Sequence, residues 1–495
     1  MIDDRLPVVV AAAQVTERDE EVYAVDLAAR AAGDALAQAP AIAPKIGVVS
    51  LVNVLARTGP APAAAIARHL ALSPARTETT HVGGNTPQWL VTRSASAIAA
   101  GEIEAALIVG SETQRSSKLR RDLRTSGRDT PSHSYGDEGM EPDPRVGDER
   151  PGVGDAELAA GLMAPVHIYP LFESVLAARS RRSFPEQRAF LGRLMAPFTE
   201  VASKHPAAWF REVRTPEEIA GALPGNRVVS EPYTKLMCAF INVDQAAALV
   251  VCSLGAARAA GIADRAVFVH SGADANDVWF PSARPDPGTS PGIRVATRAA
   301  LTAAGAGIDE MGAFDLYSCF PCAVELAAEA MGIALDDSRG LTVTGGLPYF
   351  GGPGNDYTLH AIATMVEQLR GTDGSGLVSG LGWYATKHSI GIYGGRPPER
   401  GFATGDTRAE QSAIDATAVE VAGRAEGAAT VVAATVTYNG AGDATGAPIV
   451  ALLGDGRHIA AMAEDSDLAA IGDRNLVGER VHVSGSPPRY HVLGP

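Results

Sequence analysis

The sequence predicts an α/β core that is interrupted by a mainly helical segment and followed by a small antiparallel β-barrel. Residues 1–112 alternate apolar strands with Ala-rich helices, residues 113–232 break the alternation, and residues 403–495 are β-rich and divided by turn residues. Strand–helix alternation of this kind is typical of a mostly parallel sheet covered by helices on both faces. A chain of 495 residues is also long enough for two or three domains.

The first segment holds four predicted strands and three predicted helices. The strands are short apolar runs, whereas the helices carry apolar residues at helical spacing. The predicted strands are Val8–Val15, Ile46–Leu55, Thr79–Val82 and Ala105–Ser111, and the predicted helices are Ala24–Ala39, Pro62–Leu72 and Thr86–Ala100. The turn Gly83-Gly84-Asn85 separates the third strand from the third helix.

The segment 113–232 begins with Arg- and Asp-rich, turn-rich sequence. It then contains two amphipathic helices, near Met163–Arg181 and Pro185–Lys204. Strand–helix alternation resumes with predicted strands at Ala246–Val251, Ala266–His270, Phe314–Tyr317 and Gly376–Ser379. We therefore expect the segment 113–232 to form a helical excursion on the surface of the α/β core.

The C-terminal segment 403–495 has the strand spacing of an OB-like barrel. Its predicted strands are Thr430–Tyr438, Pro448–Leu453, His458–Ala463, Arg480–Ser484 and Arg489–Leu493. This segment has 12 acidic residues, 6 arginines and no lysine. Because binding to an oligonucleotide requires the opposite sign of charge, we exclude that function for the barrel.

The whole chain has a formal charge of −15, which also argues against a nucleic-acid partner. The N-terminus is typical of a first strand rather than a signal peptide, and no apolar run of about 18 residues predicts a membrane span. Four cysteines do not make a disulfide framework. No spacing of His, Asp or Glu indicates a metal site. We expect a soluble, cytoplasmic protein.

A weak internal echo suggests a duplicated architecture. Residues 83–85 (GGN) and residues 351–355 (GGPGN) each precede a predicted helix, Thr86–Ala100 and Tyr357–Leu369 respectively, and then an apolar strand. Glycine allows the backbone to approach a ligand, and a helix N-terminus offers unpaired N–H groups to an anion or a carbonyl oxygen. Ordinary helix capping also explains Gly-Asn at these places, and the motif alone favours that interpretation.

Several motifs, in order along residues 5–395, resemble the thiolase superfamily, and the sterol-carrier-protein-type thiolases in particular. They are GNTPQWLVTRSASAIAAGEIEAALIVGSE (84–112), INVDQAAALVV (241–251), YSCF (317–320), GGLPYFGGPGN (345–355) and SGLGWYATKHSIGIYG (379–394). The resemblance implies two βαβαβαββ halves in a five-layer αβαβα fold. The halves would be 1–112 with 233–262, and 263–396, with 113–232 as the loop domain over the active site.

The sequence departs from thiolases at each catalytic position. The nucleophilic cysteine falls on Gly84, the histidine of the Gly-His-Pro motif falls on Gly352, and the acid/base cysteine falls within 378–380, where no cysteine occurs. Tyr317 stands where thiolases carry Asn or His. Without a thiolate the covalent step is lost, so we expect no ordinary thiolase activity.

The resemblance implies a coenzyme A thioester as ligand and a place in lipid metabolism, without a covalently bound cofactor. We expect the ligand cleft to be lined by Gly84, Asn85, Tyr317, Ser318, Gly352, Ser379 and Gly380. Whether the protein is an enzyme stays open, although its family would make it an acetyl-CoA acetyltransferase-like acyltransferase. One alternative is a carbon–carbon lyase or an acyltransferase that uses Tyr317 and His388. Another is a non-catalytic scaffold.

Three further candidates have simpler explanations. Cys319 and Cys322 form a Cys-x-x-Cys pair, but packing explains them better than redox or metal chemistry. His81 and His388 are interpreted first as structural or surface histidines, and Tyr317 first as a pocket-filling tyrosine. Thiolases dimerise through the strand near residues 79–83, which is short and glycine-weakened here, so we expect a weak dimer or a monomer.

Overall fold

The computed structural model describes residues 3–126 and 136–493. Residues 127–135, within the predicted loop domain, lie outside this range, as do residues 1–2 and 494–495. The first segment contains β1 (Pro7–Thr16), α1 (Ala24–Gln38), β2 (Ile46–Leu51), α2 (Pro62–His69), β3 (Arg76–Thr80), α3 (Thr86–Ala100) and β4 (Ala105–Thr113). These elements match the predicted order, but β2 ends earlier and β3 begins earlier than the sequence predicts.

The segment 114–234, which we call the loop domain, supplies mainly helices. It contains α4 (Gln114–Thr125), β5 (Arg145–Val146), α5 (Asp155–Ala159), α6 (Pro165–Arg179), α7 (Phe184–Lys204), α8 (Pro216–Ala220), β6 (Val228–Ser230) and β7 (Tyr233–Thr234). The chain then re-enters the core with β8 (Asp244–Ser253), α9 (Leu254–Ala259), β9 (Val267–Asn276), α10 (Pro291–Ala304), β10 (Ala313–Asp315), α11 (Pro321–Met331), α12 (Tyr357–Leu369), β11 (Ser375–Gly382), β12 (Lys387–Gly394) and β13 (Ala403–Thr404).

The core strands form two halves of a sheet that meet between β1 and β9. One half has the order β10-β11-β12-β9 and the other the order β1-β8-β4-β2-β3-β5. The two halves join over only two residue pairs, Val8 with Phe268 and Val9 with Val267. The sheet is mixed rather than mostly parallel, because β8 runs antiparallel between β1 and β4, and β12 runs antiparallel between β11 and β9.

Helices complete the five layers that the resemblance to thiolases implies. α3 and α12 pack against strands of both halves and against each other, so they form the central layer. α1 and α2 cover the outer face of one half, and α10 covers the outer face of the other with α11 packed on it. Nearly all residues of α12 are buried, as expected for a helix enclosed on all sides. The predicted fold class is therefore confirmed.

The C-terminal segment contains α13 (Arg408–Asp415), β14 (Gly427–Ala434), β15 (Thr437–Tyr438), β16 (Ala444–Gly446), β17 (Pro448–Leu453), β18 (His458–Ala463), α14 (Leu468–Ile471), β19 (Arg480–Ser484) and β20 (Arg489–Val492). Five of these strands close into a barrel in the order β14-β17-β18-β20-β19. The pairing of β18 with β20 is parallel and the others are antiparallel. The predicted small barrel is present, with one parallel pairing that the sequence did not indicate.

The barrel begins later than residue 403. β13 pairs with β9 and α13 packs against α10, so residues 403–415 lie on the second half of the core. The barrel itself contacts the loop domain, where the N–H of Ala434 donates to Oγ of Ser174 at 3.0 Å. Within residues 3–126 and 136–493, none of the helices has the length and apolar character needed to cross a bilayer.

Candidate functional site

The turn Gly83-Gly84-Asn85 joins the end of β3 to the start of α3. The N–H of Gly83 donates to Oδ1 of Asn355 at 2.9 Å, and the carbonyl of Gly84 accepts from Oγ1 of Thr358 at 2.6 Å. Asn355 precedes α12 and Thr358 lies in its first turn. The start of α12 therefore fixes the glycine turn of the other half. The similar Gly-Asn turns at 83–85 and 351–355 thus have a structural role.

Tyr317 fills the space beside Gly84 in which a nucleophilic side chain would have to begin. A Cβ atom on Gly84 would lie 2.3 Å from the hydroxyl oxygen of Tyr317 and 2.6 Å from the carbonyl oxygen of Leu381. Both distances are well below van der Waals contact. Position 84 therefore lacks a nucleophile, and in this packing it has no room for one.

The Tyr317 hydroxyl is a donor rather than a base. Burial, with a smaller contribution from Cys319, raises the pKa of Tyr317 far above its ordinary value. The ring packs edge-on against Tyr357, with 5.4 Å between ring centroids. A hydroxyl that stays protonated at neutral pH can stabilise a developing oxyanion, but it cannot remove a proton.

Two predicted residues on β11 lie close to this pair. Oγ of Ser379 accepts a hydrogen bond from the N–H of Tyr317 at 2.9 Å and so holds the backbone of that residue. A Cβ atom on Gly380 would lie 2.9 Å from Cα of Asn85, so a cysteine is not accommodated at that position either. Gly84, Asn85, Tyr317, Ser379 and Gly380 therefore come together.

Ser318 and Gly352 have different surroundings. The side chain of Ser318 is fully buried, and its Oγ accepts from the N–H of Leu347 at 3.4 Å. The N–H of Gly352 donates to the carbonyl of Phe240 at 2.9 Å. A Cβ atom on Gly352 would meet its nearest neighbour, Cβ of Ala239, at 3.4 Å, which is ordinary contact. Gly352 therefore has room for a small side chain, unlike Gly84.

The space enclosed by these residues is small. Tyr317, Ser379, Gly380 and His388 line a cavity of about 10 Å³. This is about the volume that one water molecule requires. An acyl chain does not fit in it, so any acyl ligand has to bind elsewhere along the turn or displace side chains.

His388 lies on β12, and its side chain contacts the start of α10 on the other face of that strand. Its Nε2 lies 2.9 Å from Oδ2 of Asp277, whose Oδ1 accepts from the N–H of Gly292 at 2.8 Å. Burial opposes ionisation of Asp277, but the hydrogen bond and charge of His388 and the charge of Arg284 leave the pKa of Asp277 below its ordinary value. The pair stabilises the α10 N-terminus, and His388 also lines the small cavity beside Tyr317.

The two cysteines of the Cys-x-x-Cys pair are free and buried. Burial raises the pKa of Cys319 to about 12, partly offset by a hydrogen bond with Tyr169, and burial raises the pKa of Cys322 well above its usual range. A thiolate is the reactive form of cysteine, so neither group is reactive at neutral pH. This favours the packing interpretation.

A larger cavity, which the sequence did not predict, lies on the other side of the turn. Its volume is about 470 Å³, and it lies between the start of α3, the adjacent ends of β9 and β12, the loop at Gly147–Asp148, and α13. Gln411 of α13 holds this wall by accepting from the N–H of Asn276 at 2.6 Å and donating to its carbonyl at 3.1 Å. We refer to this space as the α3 cavity.

Two ionisable side chains on the strand floor of the α3 cavity have shifted pKa values. Burial lowers the pKa of Lys387 to about 8, a shift that Asp148 opposes and Arg150 increases. Burial raises the pKa of Asp274 to about 6, against a hydrogen bond donated by Ser389. The sequence contained a sign of this cavity, because a strand that is otherwise apolar rarely carries a lysine or an aspartate on its covered face.

The edge of β3 is covered within the same chain. β5 pairs with β3 in parallel, with Thr79 opposite Arg145 and Thr80 opposite Val146. The N–H of Thr79 donates to Pro144 O at 3.0 Å, and the N–H of His81 donates to Val146 O at 2.8 Å. The C-terminal end of the strand through which thiolases dimerise therefore has its hydrogen-bonding groups occupied by the loop domain.

The whole chain is similar to a solved structure, the monomeric SCP2-thiolase-like protein type 1 from Mycobacterium smegmatis. The two chains are 31% identical, each is covered over 100% of its length, and the TM-score is 0.85. The chain belongs to the SCP2-thiolase-like proteins. The family resemblance that the motifs predicted is thus confirmed over the full chain, including the barrel.

More distant members of the thiolase superfamily share the fold of this SCP2-thiolase-like protein. The Ltp2–ChsH2(DUF35) aldolase is 17% identical over 79% of this chain and 98% of its own, with a TM-score of 0.59. The Acat5 thiolase from Ascaris suum, solved with coenzyme A, is 15% identical over 79% of this chain and 99% of its own, with a TM-score of 0.57. No protein-family model and no curated protein matches the chain.

Proposed function

We propose that this protein binds a coenzyme A thioester, or another pantetheine-linked ligand, and does not perform thiolysis or Claisen condensation. The observation that carries the proposal is the contact between Tyr317 and Gly84. Thiolysis requires a thiolate at this helix N-terminus to attack the acyl carbonyl. Here the hydroxyl of Tyr317 stands 2.3 Å from the point where such a side chain would start.

Ligand binding is supported by the parts of the fold that do not depend on the nucleophile. The starts of α3 and α12 converge on the turn at 83–85, and helix N-termini favour phosphate and carbonyl oxygens. A related thiolase fold has been solved with coenzyme A. Since the small cavity beside Tyr317 holds about one water, the acyl group would lie outside it, along the turn. We propose a cytoplasmic, monomeric protein of lipid metabolism.

Calorimetry and a turnover assay on the same preparation test this function. Acetyl-CoA and acetoacetyl-CoA should bind, whereas the acetoacetyl-CoA absorbance should stay constant when free coenzyme A is added. Adenosine 3′,5′-bisphosphate serves as the control for binding through the nucleotide alone. Rapid cleavage of acetoacetyl-CoA with an acyl adduct on any of the four cysteines would contradict the proposal, as would the absence of binding.

A carbon–carbon lyase is the second candidate, because a buried tyrosine hydroxyl stands at the position of the lost nucleophile. The raised pKa of Tyr317 limits it to donating a hydrogen bond to an enolate oxygen. Retro-aldol release of a ketone or an aldehyde from a 3-hydroxyacyl-CoA, lost in Tyr317→Phe, would favour this function. Stable capture of a protein partner with no ligand binding would instead favour a scaffold.

A further inference from the structure

The α3 cavity, of about 470 Å³, has charged groups on its floor. In the pairing of β9 with β12, Ser389 lies opposite Asp274 and Lys387 lies opposite Asn276. Residues directly opposite each other, and those two positions along a strand, point to the same face of a sheet. Asp274 and Lys387 are therefore diagonal neighbours on one face, with about 7–8 Å between their positions.

The carboxylate of Asp274 has no cation to pair with in the described part of the chain. Its Oδ1 accepts from the hydroxyl of Ser389, and no Lys, Arg or His in residues 3–126 and 136–493 forms an ion pair with it. The other charged groups at the rim are paired away from it, Asp148 with Arg150 and Arg408 with Asp406. A largely buried carboxylate that faces a cavity without a counter-ion favours a cationic ligand group.

The opposite end of the cavity floor favours an anion. Lys387 is 4% exposed, and its ammonium donates to the carbonyl of Val82 at 2.5 Å and has two further N–H groups. It lies beside the turn that starts α3, whose N-terminus adds positive potential. Helix potential and lysine charge therefore act on the same point.

Asn85 connects the start of α3 to the strand floor of the cavity. Its side chain is 8% exposed and lines the cavity, with Nδ2 donating to Ser389 Oγ at 3.1 Å. Its Oδ1 has no hydrogen-bond partner. A buried acceptor left unpaired costs about 1–3 kcal/mol, and this oxygen is packed against the turn, 2.5 Å from the point that a Cβ atom of Gly83 would occupy.

We propose that the α3 cavity binds a dipeptide-sized zwitterion, with its ammonium on Asp274 and its carboxylate on Lys387 and the start of α3. Two extended residues span about 7 Å, which is close to the spacing of about 7–8 Å between the two positions on the sheet. The ring of Trp89 forms an apolar wall for a side chain of the ligand. The start of α3 also borders the turn at 83–85, so the carboxylate of this ligand would lie next to the proposed coenzyme A ligand.

Calorimetric titration of the full-length protein with alanyl-alanine tests the proposal. N-acetyl-alanyl-alanine lacks the ammonium and alanyl-alanine amide lacks the carboxylate, so each should bind at least tenfold more weakly. Asp274→Asn and Lys387→Met should each weaken alanyl-alanine at least tenfold. Asp34→Asn and Lys118→Met, on exposed positions of α1 and α4, should leave the affinity unchanged.

The ligand series keeps the test meaningful if a variant does not fold. Absence of alanyl-alanine binding to the wild-type protein would overturn the proposal, as would equal binding of the acetylated or amidated forms. Equal affinity of folded Asp274→Asn, judged by its thermal unfolding, would overturn the assignment of the ammonium to that residue. Failure of acetyl-CoA binding alone bears only on the coenzyme A site.

Discussion

The hydroxyl oxygen of Tyr317 stands 2.3 Å from the point that a Cβ atom of residue 84 would occupy. The tyrosine comes from the second half of the core and the glycine from the first, so two chain segments more than 200 residues apart exclude a side chain between them. The loss of the thiolase nucleophile is therefore part of the packing of this site. Restoring the cysteine alone does not restore the geometry.

Gly84→Cys should destabilise the protein without producing thiolase activity. Overpacking a close-packed site typically costs about 1–3 kcal/mol, and here the carbonyl of Leu381 adds a second obstacle at 2.6 Å. Denaturant unfolding measures the cost. Tyr317→Phe removes the hydroxyl oxygen that lies nearest to the new side chain. The double variant with Gly84→Cys and Tyr317→Phe should therefore be destabilised by less than the sum of the single changes, with a coupling of about 0.5–3 kcal/mol. Additive effects would mean that the two residues do not compete for space.

Asn355→Ala should lower the free energy of unfolding by about 2–4 kcal/mol. The change leaves the buried N–H of Gly83 without an acceptor and removes the donors to Asn53. Asn242→Ala, an exposed position just before β8, is the matched control and should stay within about 0.5 kcal/mol of wild type. A cost equal to that of the control would show that the two halves hold the turn by other contacts.

Acid should destabilise the protein in part through His205. Burial, with the charges of His360 and Arg211, lowers the pKa of His205 to about 4, against 6.5 for the unfolded chain. Between these pH values the unfolded state binds more protons, so the free energy of unfolding falls as the pH decreases from 6.5 to 4. Over that pH interval, the free energy of unfolding of His205→Gln should fall by up to about 3 kcal/mol less than that of the wild-type protein.

Urea unfolding at several pH values measures this difference. The exposed His69 on α2 gives the control, and His69→Gln should follow the wild-type profile. Parallel profiles for His205→Gln and wild type would show that His205 is protonated in the folded protein.

The cover that β5 provides for β3 predicts a monomer of 51.1 kDa in sedimentation. It also predicts slow hydrogen exchange at the N–H groups of Thr79 and His81, which donate to the backbone of residues 144 and 146. An edge strand without a pairing partner would show fast exchange at these positions in a monomer. A dimer that protects them only at high protein concentration would contradict the pairing with β5.

The sequence predicted more of the fold than of the site. Period-2 and helical patterns located the core elements because each has a long apolar face, and α12 was predicted with its observed bounds, Tyr357–Leu369. The two residues of β5 gave no such signal, since a two-residue strand is defined by its partner rather than by its own pattern. The mixed direction of the sheet also depended on long-range pairing.

At the site, motif order identified Gly84 as the lost nucleophile, but could not show that Tyr317 fills its space. That contact joins residues far apart in the chain, and so does the α3 cavity, where Asp274 and Lys387 become neighbours only through strand pairing. The wall that α13 contributes to the cavity was not predicted for a further reason, because the sequence pattern assigned residues 403–415 to the barrel.

The two-residue strand β5 has a consequence for measurement in the test tube. A thiolase-like site that relies on a second copy is incomplete whenever the protein is diluted below the dimer's dissociation constant. This chain supplies its own cover for β3, so we expect the affinity for any ligand at the turn to be the same at nanomolar and at micromolar protein.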